Sequence, residues 1–403
     1  MLISRRTLMK STAASAGLVL APGLQTFASA QTTDTQGRVM SDAGYSRIAE
    51  TPEDFKRLGL DANNIALWED GLRAPTESGH YEWWYFDCHL KDGTSIVVFY
   101  TKPLTSADWS LTPEISIDIT RPDGTIHKAK LRAAPEDFSA SKDSCDVRIE
   151  GNRFVGDLNK YRITAEVEDL SVDIELTGEV PSWRPKTGHF YFGSKGEPEK
   201  LFAWLPSVPQ GKVKASYKIG DETFEGTGVG YHDHNWGNAP MQDVMHNWYW
   251  GRAKVGPYTV IASYITAEEE YNYQPMTVFL LAKDGKHVVD DHSKVAFSTA
   301  NNFADDKTGK PVAGLSTYVY ADGDTEYMVK FEHEDTIIQD VFADSQPLLK
   351  RLAAKALGID SSYMRLQGPA IIEKRVNGEL VEHFEDHAIW EQMYFGETRT
   401  PDK

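Results

Sequence analysis

Between Gly228 and Gly237 the chain reads Gly-Val-Gly-Tyr-His-Asp-His-Asn-Trp-Gly, a carboxylate between two imidazoles with an aromatic ring on either side. A short way on comes His246-Asn247-Trp248-Tyr249-Trp250, and far upstream lies His80-Tyr81-Glu82-Trp83-Trp84-Tyr85. Surface strands do not spend Trp, Tyr and His so freely, so the three stretches point to one apolar pocket with an acid in it. Burial in such a pocket penalises charge, and a carboxyl there stays protonated near neutral pH. Such an acid can hand a proton to an apolar substrate held against the aromatic faces, with a His as its acid–base partner. Asp233 is the candidate acid, with His232, His234 and Glu82 as catalytic partners. Trp84, Tyr85, Trp236, His246, Trp248, Trp250 and Arg252 are the candidate substrate-binding walls.

Each of these groups has a plainer reading. Asp233 could form an ordinary buried ion pair with a neighbouring imidazole. On an extended strand His232 and His234 share a face and Asp233 points to the other, so all three meet one pocket only if the glycines break the strand. His-x-His is also a metal-ligand spacing. Imidazoles hydrogen-bonded to backbone are the favoured reading, and no metal and no cofactor is expected. Glu82 could share a proton with Asp233, orient a His, or pair with Arg252. Arg252 could anchor an anionic group or serve as a salt-bridge partner. Strand alternation also sends about half of the aromatics into cores. No Gly-x-Ser-x-Gly elbow occurs, which disfavours a serine hydrolase.

The amino terminus carries an address. Ser4-Arg5-Arg6 with Leu8 and Lys10, an apolar run from Ala13 to Leu24 and the small residues Ala28-Ser29-Ala30 form a twin-arginine signal pattern, residues 1–30. The run is too short and too interrupted to remain as a spanning helix, and no later stretch is long and apolar enough. The expectation is a periplasmic protein with no transmembrane segment after cleavage. Losing Arg5, Arg6 and Lys10 moves the formal charge from −18 to −21. That acidity argues against nucleic acid and anionic lipid as partners. Cys88 and Cys145 could form a disulfide after export, although Cys88 lies in an apolar strand pattern that suits a buried free thiol.

The elements that must position these residues read as β-structure. Ser95–Tyr100, Glu114–Thr120, Arg162–Val167 and Val172–Leu176 have strand patterns, most of them cleanly alternating. Asp92-Gly93, Asp123-Gly124, Asp284-Gly285, Asp322-Gly323 and Asn377-Gly378 mark hairpins. Thr51-Pro52-Glu53-Asp54 starts a short helix ending near Gly59, and Asp344 to Gly358 reads as a longer amphipathic one. The chain also looks like a distant repeat. One run of strands goes from His80-x-Trp-Trp-Tyr to Tyr231–Trp236, the other from His246-x-Trp-Tyr-Trp to His387–Tyr394. Barrel closure pairs the first and last strands of each half, bringing Glu82, Trp84, Asp233 and His234 into one neighbourhood.

The export signal, His80–Phe86, the Ile96–Tyr100 strand and Tyr231-His-Asp-His-Asn-Trp-Gly resemble the carotenoid 1,2-hydratase family, also called hydroxyneurosporene synthase, within the AttH-like group of tandem lipocalin-like proteins. The resemblance covers nearly the whole mature chain and is most specific at His232–Gly237. It implies an all-β fold of two tandem lipocalin-like antiparallel β-barrels with a few short helices. The domains expected are a polar linker at 31–45, a first barrel at 46–242 and a second at 243–398. It also implies a cofactor-free hydratase-type lyase acting on an apolar isoprenoid-like alkene. The group is similar as well to cofactor-independent Diels–Alderases, so an isomerase or cyclase is the second enzyme reading. A periplasmic carrier of hydrophobic ligands is the rival without chemistry.

Overall fold

The structure is a computed structural model that describes residues 44–75, 79–102, 112–341 and 361–396. The export signal and the amphipathic helix expected from Asp344 to Gly358 lie outside the described residues. Among the described residues the fold is all-β: two large curled antiparallel sheets of lipocalin-like type, one with 13 strands and one with 10, accompanied by short helices. The first sheet takes its strands from Tyr45–Ile48 through Glu222–Gly237, the second from Met245–Val255 through Glu379–Tyr394.

Local chemistry accounts for the elements. The helix Pro52–Leu58 has Thr51 as N-cap, Asp54 closing a capping box and Gly59 as a left-handed C-cap. Every Asp-Gly or Asn-Gly pair named above sits between two paired strands. At Asp284-Gly285 and Asn377-Gly378 both residues have positive φ, which lets a tight turn follow the right-handed twist of its strands.

Among the described residues, apolar side chains gather in three large clusters and a small one around Leu205 and Trp236. Trp84, Phe86, Ile117, Phe154 and Ile163 belong to the core inside the first sheet. Val255, Val260, Phe279 and Tyr318 belong to the core inside the second. A third cluster joins Phe190, Trp204 and Tyr231 of the first sheet to Ile261, Val278 and Met393 of the second. The two sheets therefore pack outer face to outer face through aromatic and aliphatic side chains.

The aromatic strands at the ends of each half are neighbours. Tyr81–Leu90 pairs with Glu222–Gly237 without a break, from Tyr81 opposite Gly237 to Leu90 opposite Gly228. Met245–Val255 pairs with Glu379–Tyr394, Asn247 opposite Tyr394. Cys88 and Cys145 are both buried free thiols, so the disulfide that oxidising export would permit is not formed.

The glycines of the Glu222–Gly237 strand serve close approach and leave the strand unbroken. A Cβ on Gly228 would collide with the His89 carbonyl oxygen and lie 2.7 Å from Leu90 Cα, both backbone atoms that cannot yield. Gly228→Ala is therefore expected to lower unfolding stability by about 1–3 kcal/mol, the usual range for overpacking, measured by urea denaturation. An unchanged midpoint would contradict this account of the strand pairing.

Candidate active site

Because the Glu222–Gly237 strand stays regular, its side chains alternate, and this decides the site. Tyr231, Asp233 and Asn235 face the second sheet, while His232, His234 and Trp236 face the other way. The neighbourhood expected for Glu82, Trp84, His234 and Asp233 forms only in part. The first three meet, but Asp233 is directed to the opposite face of the same strand.

Asp233 is 7% exposed and ringed by donors. Its Oδ2 accepts the Tyr231 hydroxyl and the Trp204 indole N–H, each at 2.8 Å, and its Oδ1 accepts the Asn235 amide at 2.8 Å. Burial pushes the carboxyl up, while the Tyr231 hydrogen bond, the nearby His232 and the other donors pull it down. Burial prevails, and the pKa stands at about 7, from an ordinary 3.8. Trp204 also lies 3.2 Å from the Tyr231 oxygen. Burial and the neighbouring carboxylate drive the Tyr231 phenol well above its ordinary range.

On the inner side, His234 Nε2 is 2.7 Å from Glu82, and its ring stacks on Trp84 at 4.7 Å. Glu82 also accepts the backbone N–H groups of Arg73 and Ala74 at 2.7 and 2.9 Å. It thus orients a histidine and neither shares a proton with Asp233 nor pairs with Arg252. His232 Nδ1 is 2.8 Å from the Tyr85 carbonyl. A carbonyl only accepts, so that nitrogen carries hydrogen and Nε2 turns to Asp70, 3.4 Å away. Asp70 is fully enclosed. Burial pushes its carboxyl up, but His232, His234 and the Tyr161 hydroxyl hold it below its ordinary value.

Among the described residues, Asp70, Cys145 and His232 offer ligand-type atoms within 4.8 Å of one another. All three are already engaged: the Cys145 thiol points to the Phe154 carbonyl, Asp70 receives Tyr161, and His232 donates to Tyr85. Burial, together with the charge of Asp70, drives the thiol well above its ordinary pKa, so it is a protonated core thiol.

A cavity of about 260 Å³ opens between the two sheets. Tyr85, Trp250 and Arg252 line it, together with Asp87, Gln210, Arg365 and Glu391. Tyr231, which bonds to Asp233, does not line it but packs on three residues that do. Its ring meets Tyr85 at 6.2 Å and Trp250 at 5.7 Å, and the Arg252 guanidinium lies 5.0 Å over it. A second hollow, about 190 Å³, lies beyond Trp204 and includes Trp236 and His189. Trp84, Glu82 and His234 are in the first barrel's interior. Trp248 packs on Phe395 at 4.9 Å, and His246 lies against Asn247, Tyr273 and Tyr394. The three aromatic stretches therefore do not line a single pocket, because alternate side chains leave each strand in opposite directions.

Sequence reasoning passed over Tyr231, Asn235, Trp204, Gln210 and Asp70. Tyr231 and Asn235 were within reach, since Tyr-x-Asp-x-Asn has the two-residue period that puts all three on one face. Trp204 and Gln210 come from the Lys200–Ile219 strand and Asp70 from a short helical turn, and nothing in their local sequence singles them out.

Residues 61–337 match the family model described as Diels-Alderase-like. The chain belongs to the Diels-Alderase-like family. The chain is similar to hydroxyneurosporene dehydrogenase of Chlorobaculum tepidum, 26% identical over 295 residues, covering 64% of this chain and 74% of that protein. The quinolone epoxide rearrangement protein asqO of Emericella nidulans is 25% identical over 211 residues, 48% of this chain and 57% of that one. The chain thus spans less than two thirds of that relative. A solved AttH structure from Nitrosomonas europaea shares the fold at a TM-score of 0.50 and 16% identity, covering 79% of this chain and 93% of that one. These relations agree with the carotenoid hydratase and AttH-like resemblance seen in the motifs.

Asp233 also makes stability depend on pH in a stated direction. Its folded pKa is raised, so between about pH 4 and 7 the native protein keeps a proton that the unfolded chain has released. Its contribution is complete below the unfolded value and is lost as pH rises through about 7. Asp233→Asn should therefore gain stability relative to wild type as pH rises across that window, at up to about 1.4 kcal/mol per pH unit. Urea unfolding of both proteins at the two ends of the window tests this, and parallel pH curves would refute the raised carboxyl.

Proposed function

We propose that this protein is a cofactor-free acid–base enzyme of the lyase or isomerase kind, with Asp233 as its proton donor and an apolar small molecule as its substrate. The observation that carries the reading is a buried carboxyl with a pKa raised to about 7, bonded to Tyr231, whose ring packs against residues that line a cavity between two sheets. A group with that pKa is protonated often enough to donate, and its conjugate base is strong enough to take a proton back. Tyr231 links it to the cavity. When Asp233 is protonated it donates to the Tyr231 oxygen, so the reading requires the substrate to reach the phenol past the cavity wall of Tyr85 and Trp250. Tyr85 and Trp250 line the cavity, and aromatic rings there can stabilise positive charge on the reacting carbon.

The finer reading is hydration of an isoprenoid-like alkene, of the carotenoid 1,2-hydratase type. The relation to hydroxyneurosporene dehydrogenase supports it. A second reading, acid-promoted isomerisation or rearrangement, is favoured by the two-way proton capacity of Asp233 and by the relation to quinolone epoxide rearrangement proteins. We place the enzyme in the periplasm, exported by its twin-arginine signal, with a first barrel at 46–242 and a second at 243–398.

The test is incubation of purified protein, without added cofactor, with prenyl alkenes and aryl epoxides, followed by mass spectrometry. A gain of one water marks a hydratase, and a new product of unchanged mass marks an isomerase. Tight retention of an unaltered ligand would instead mark a carrier. Asp233→Asn should lower turnover by about 10²-fold or more, the usual worth of a general acid. Wild-type turnover should decline as pH rises above about 7, where Asp233 loses its proton. Tyr231→Phe should be impaired too, with its residual limb moved to higher pH, because the Tyr231 hydrogen bond holds the Asp233 pKa down. Full activity in both variants would sink the proposal.

A further inference from the structure

An acid–base enzyme needs a group to give a proton and a group to take one, and the histidines cannot fill the second role at this cavity. His232 and His234 leave their strand on the opposite face, inside the first barrel. The cavity wall has candidates of its own. Asp87 is spent on Arg252, which Gln210 also holds at 3.3 Å from the bulged part of the Lys200–Ile219 strand. Burial holds His89 at about 4, so its ring is neutral and a weak base at neutral pH. His387 is exposed to solvent. That leaves the carboxyl of Glu391.

The register aims Glu391 into the gap. Along the Glu379–Tyr394 strand, Trp390 and Tyr394 enter the core inside the second sheet, while Met393 faces the first sheet. Glu391 is on the Met393 side. It lies opposite Trp250 on one flanking strand and opposite Arg365 on the other. Both flanks of its backbone are thus covered. The open part of this half-buried residue is its side chain, and what it opens on is the cavity it lines. Its surroundings suit a base. Burial pushes the carboxyl up, Tyr363 and Arg365 pull it down, Asp87 adds to the rise and Trp248 opposes it; burial prevails, and the pKa stands above its ordinary 4.5. Arg365 Nε donates to the Tyr363 hydroxyl at 3.2 Å, so these two neighbours hold each other in place. Their charges reach the facing sheet. The Tyr85 phenol, which burial and Asp87 drive well above its ordinary range, is eased by Arg365 and pushed further by Glu391.

We infer that Glu391 is the second proton-transfer group of this cavity: its carboxylate takes the proton that the substrate or an attacking water gives up. The inference rests on the reading of the cavity as the substrate site and assigns the base where that reading assigned only the acid. One proton enters the substrate from the Tyr231–Asp233 side and one leaves to Glu391. The net change is a water added, or a hydrogen moved at constant mass, and exchange with solvent resets both groups.

The test uses 5-nitrobenzisoxazole, a flat aromatic that a base alone can open. The carboxylate takes the C3 hydrogen as a proton, the C–H electron pair completes a nitrile, and the N–O bond breaks to release a coloured nitrophenolate. No acid is needed, so the result does not depend on whether Asp233 donates. Wild type should open the ring faster than acetate in the buffer does, at a rate that rises with pH as Glu391 loses its proton. Glu391→Gln should lower that rate by about 10²-fold, the usual worth of a positioned base. Glu391→Asp keeps the charge but withdraws the carboxyl by one methylene, and should lose about tenfold or more. It carries the test if thermal unfolding shows that Glu391→Gln has lost its fold. No acceleration by wild type, an undiminished rate in the folded Glu391 variants, or a loss that follows His89→Gln instead would overturn the inference. If Glu391→Gln loses the probe reaction while Asp233→Asn leaves turnover of prenyl alkenes and aryl epoxides intact, the base assignment stands and the acid assignment falls.

Discussion

The structure depends on one unbroken strand pairing, Tyr81–Leu90 against Glu222–Gly237. Two glycine contacts permit it: at Gly228 against the His89 carbonyl and at Gly230 against the Asp87 carbonyl, a Cβ would force the backbones apart. Because the ladder is regular, consecutive side chains go to opposite sides. One side fills the interior of the first barrel with His232, His234 and Glu82, where the two histidines meet Asp70. The other delivers Tyr231, Asp233 and Asn235 to the contact with the second sheet.

Those two sides carry different electrostatics. Inside the first barrel, each carboxylate meets an imidazole and either a hydroxyl or backbone N–H groups: Asp70 has His232 and Tyr161, and Glu82 has His234 and two backbone N–H groups. The negative charge of Asp70 is well supported there, and its carboxyl is held low. Between the sheets Asp233 has three neutral donors and an apolar surround, and none of the described residues forms an ion pair with it. Burial outweighs the hydrogen bonds, and the carboxyl is held high. Two buried aspartates a strand's width apart thus receive opposite treatment, the pattern by which one scaffold separates a structural carboxylate from a proton donor.

The second sheet contributes the other half of the setting. Met245–Val255 brings Trp250 and Arg252 over Tyr231, and Glu379–Tyr394 adds Glu391 to the cavity wall. Packing of the two outer faces excludes water from Asp233 and leaves a hollow lined by Tyr85, Trp250 and Arg252, so the raised carboxyl and the cavity have the same origin.

Much of the scaffold could be read from local chemistry. The capped helix after Thr51, the hairpins at Asp-Gly and Asn-Gly, and the alternating strands are encoded by residues adjacent in the chain. Asp233 could be singled out because a carboxyl flanked by His and aromatic residues is unusual in any strand. The opposite directions of Asp233 and the two histidines also follow from the strand period alone. Only the tertiary structure decided that the strand stays straight through its glycines, that Trp204 and Tyr231 close over the acid, and that Gln210 and Arg252 meet across two sheets. These depend on register and on a bulge between strands far apart in the chain. Periodicity tells which side of a strand a residue takes, but what it meets there is set by the packing of surfaces that no local pattern records.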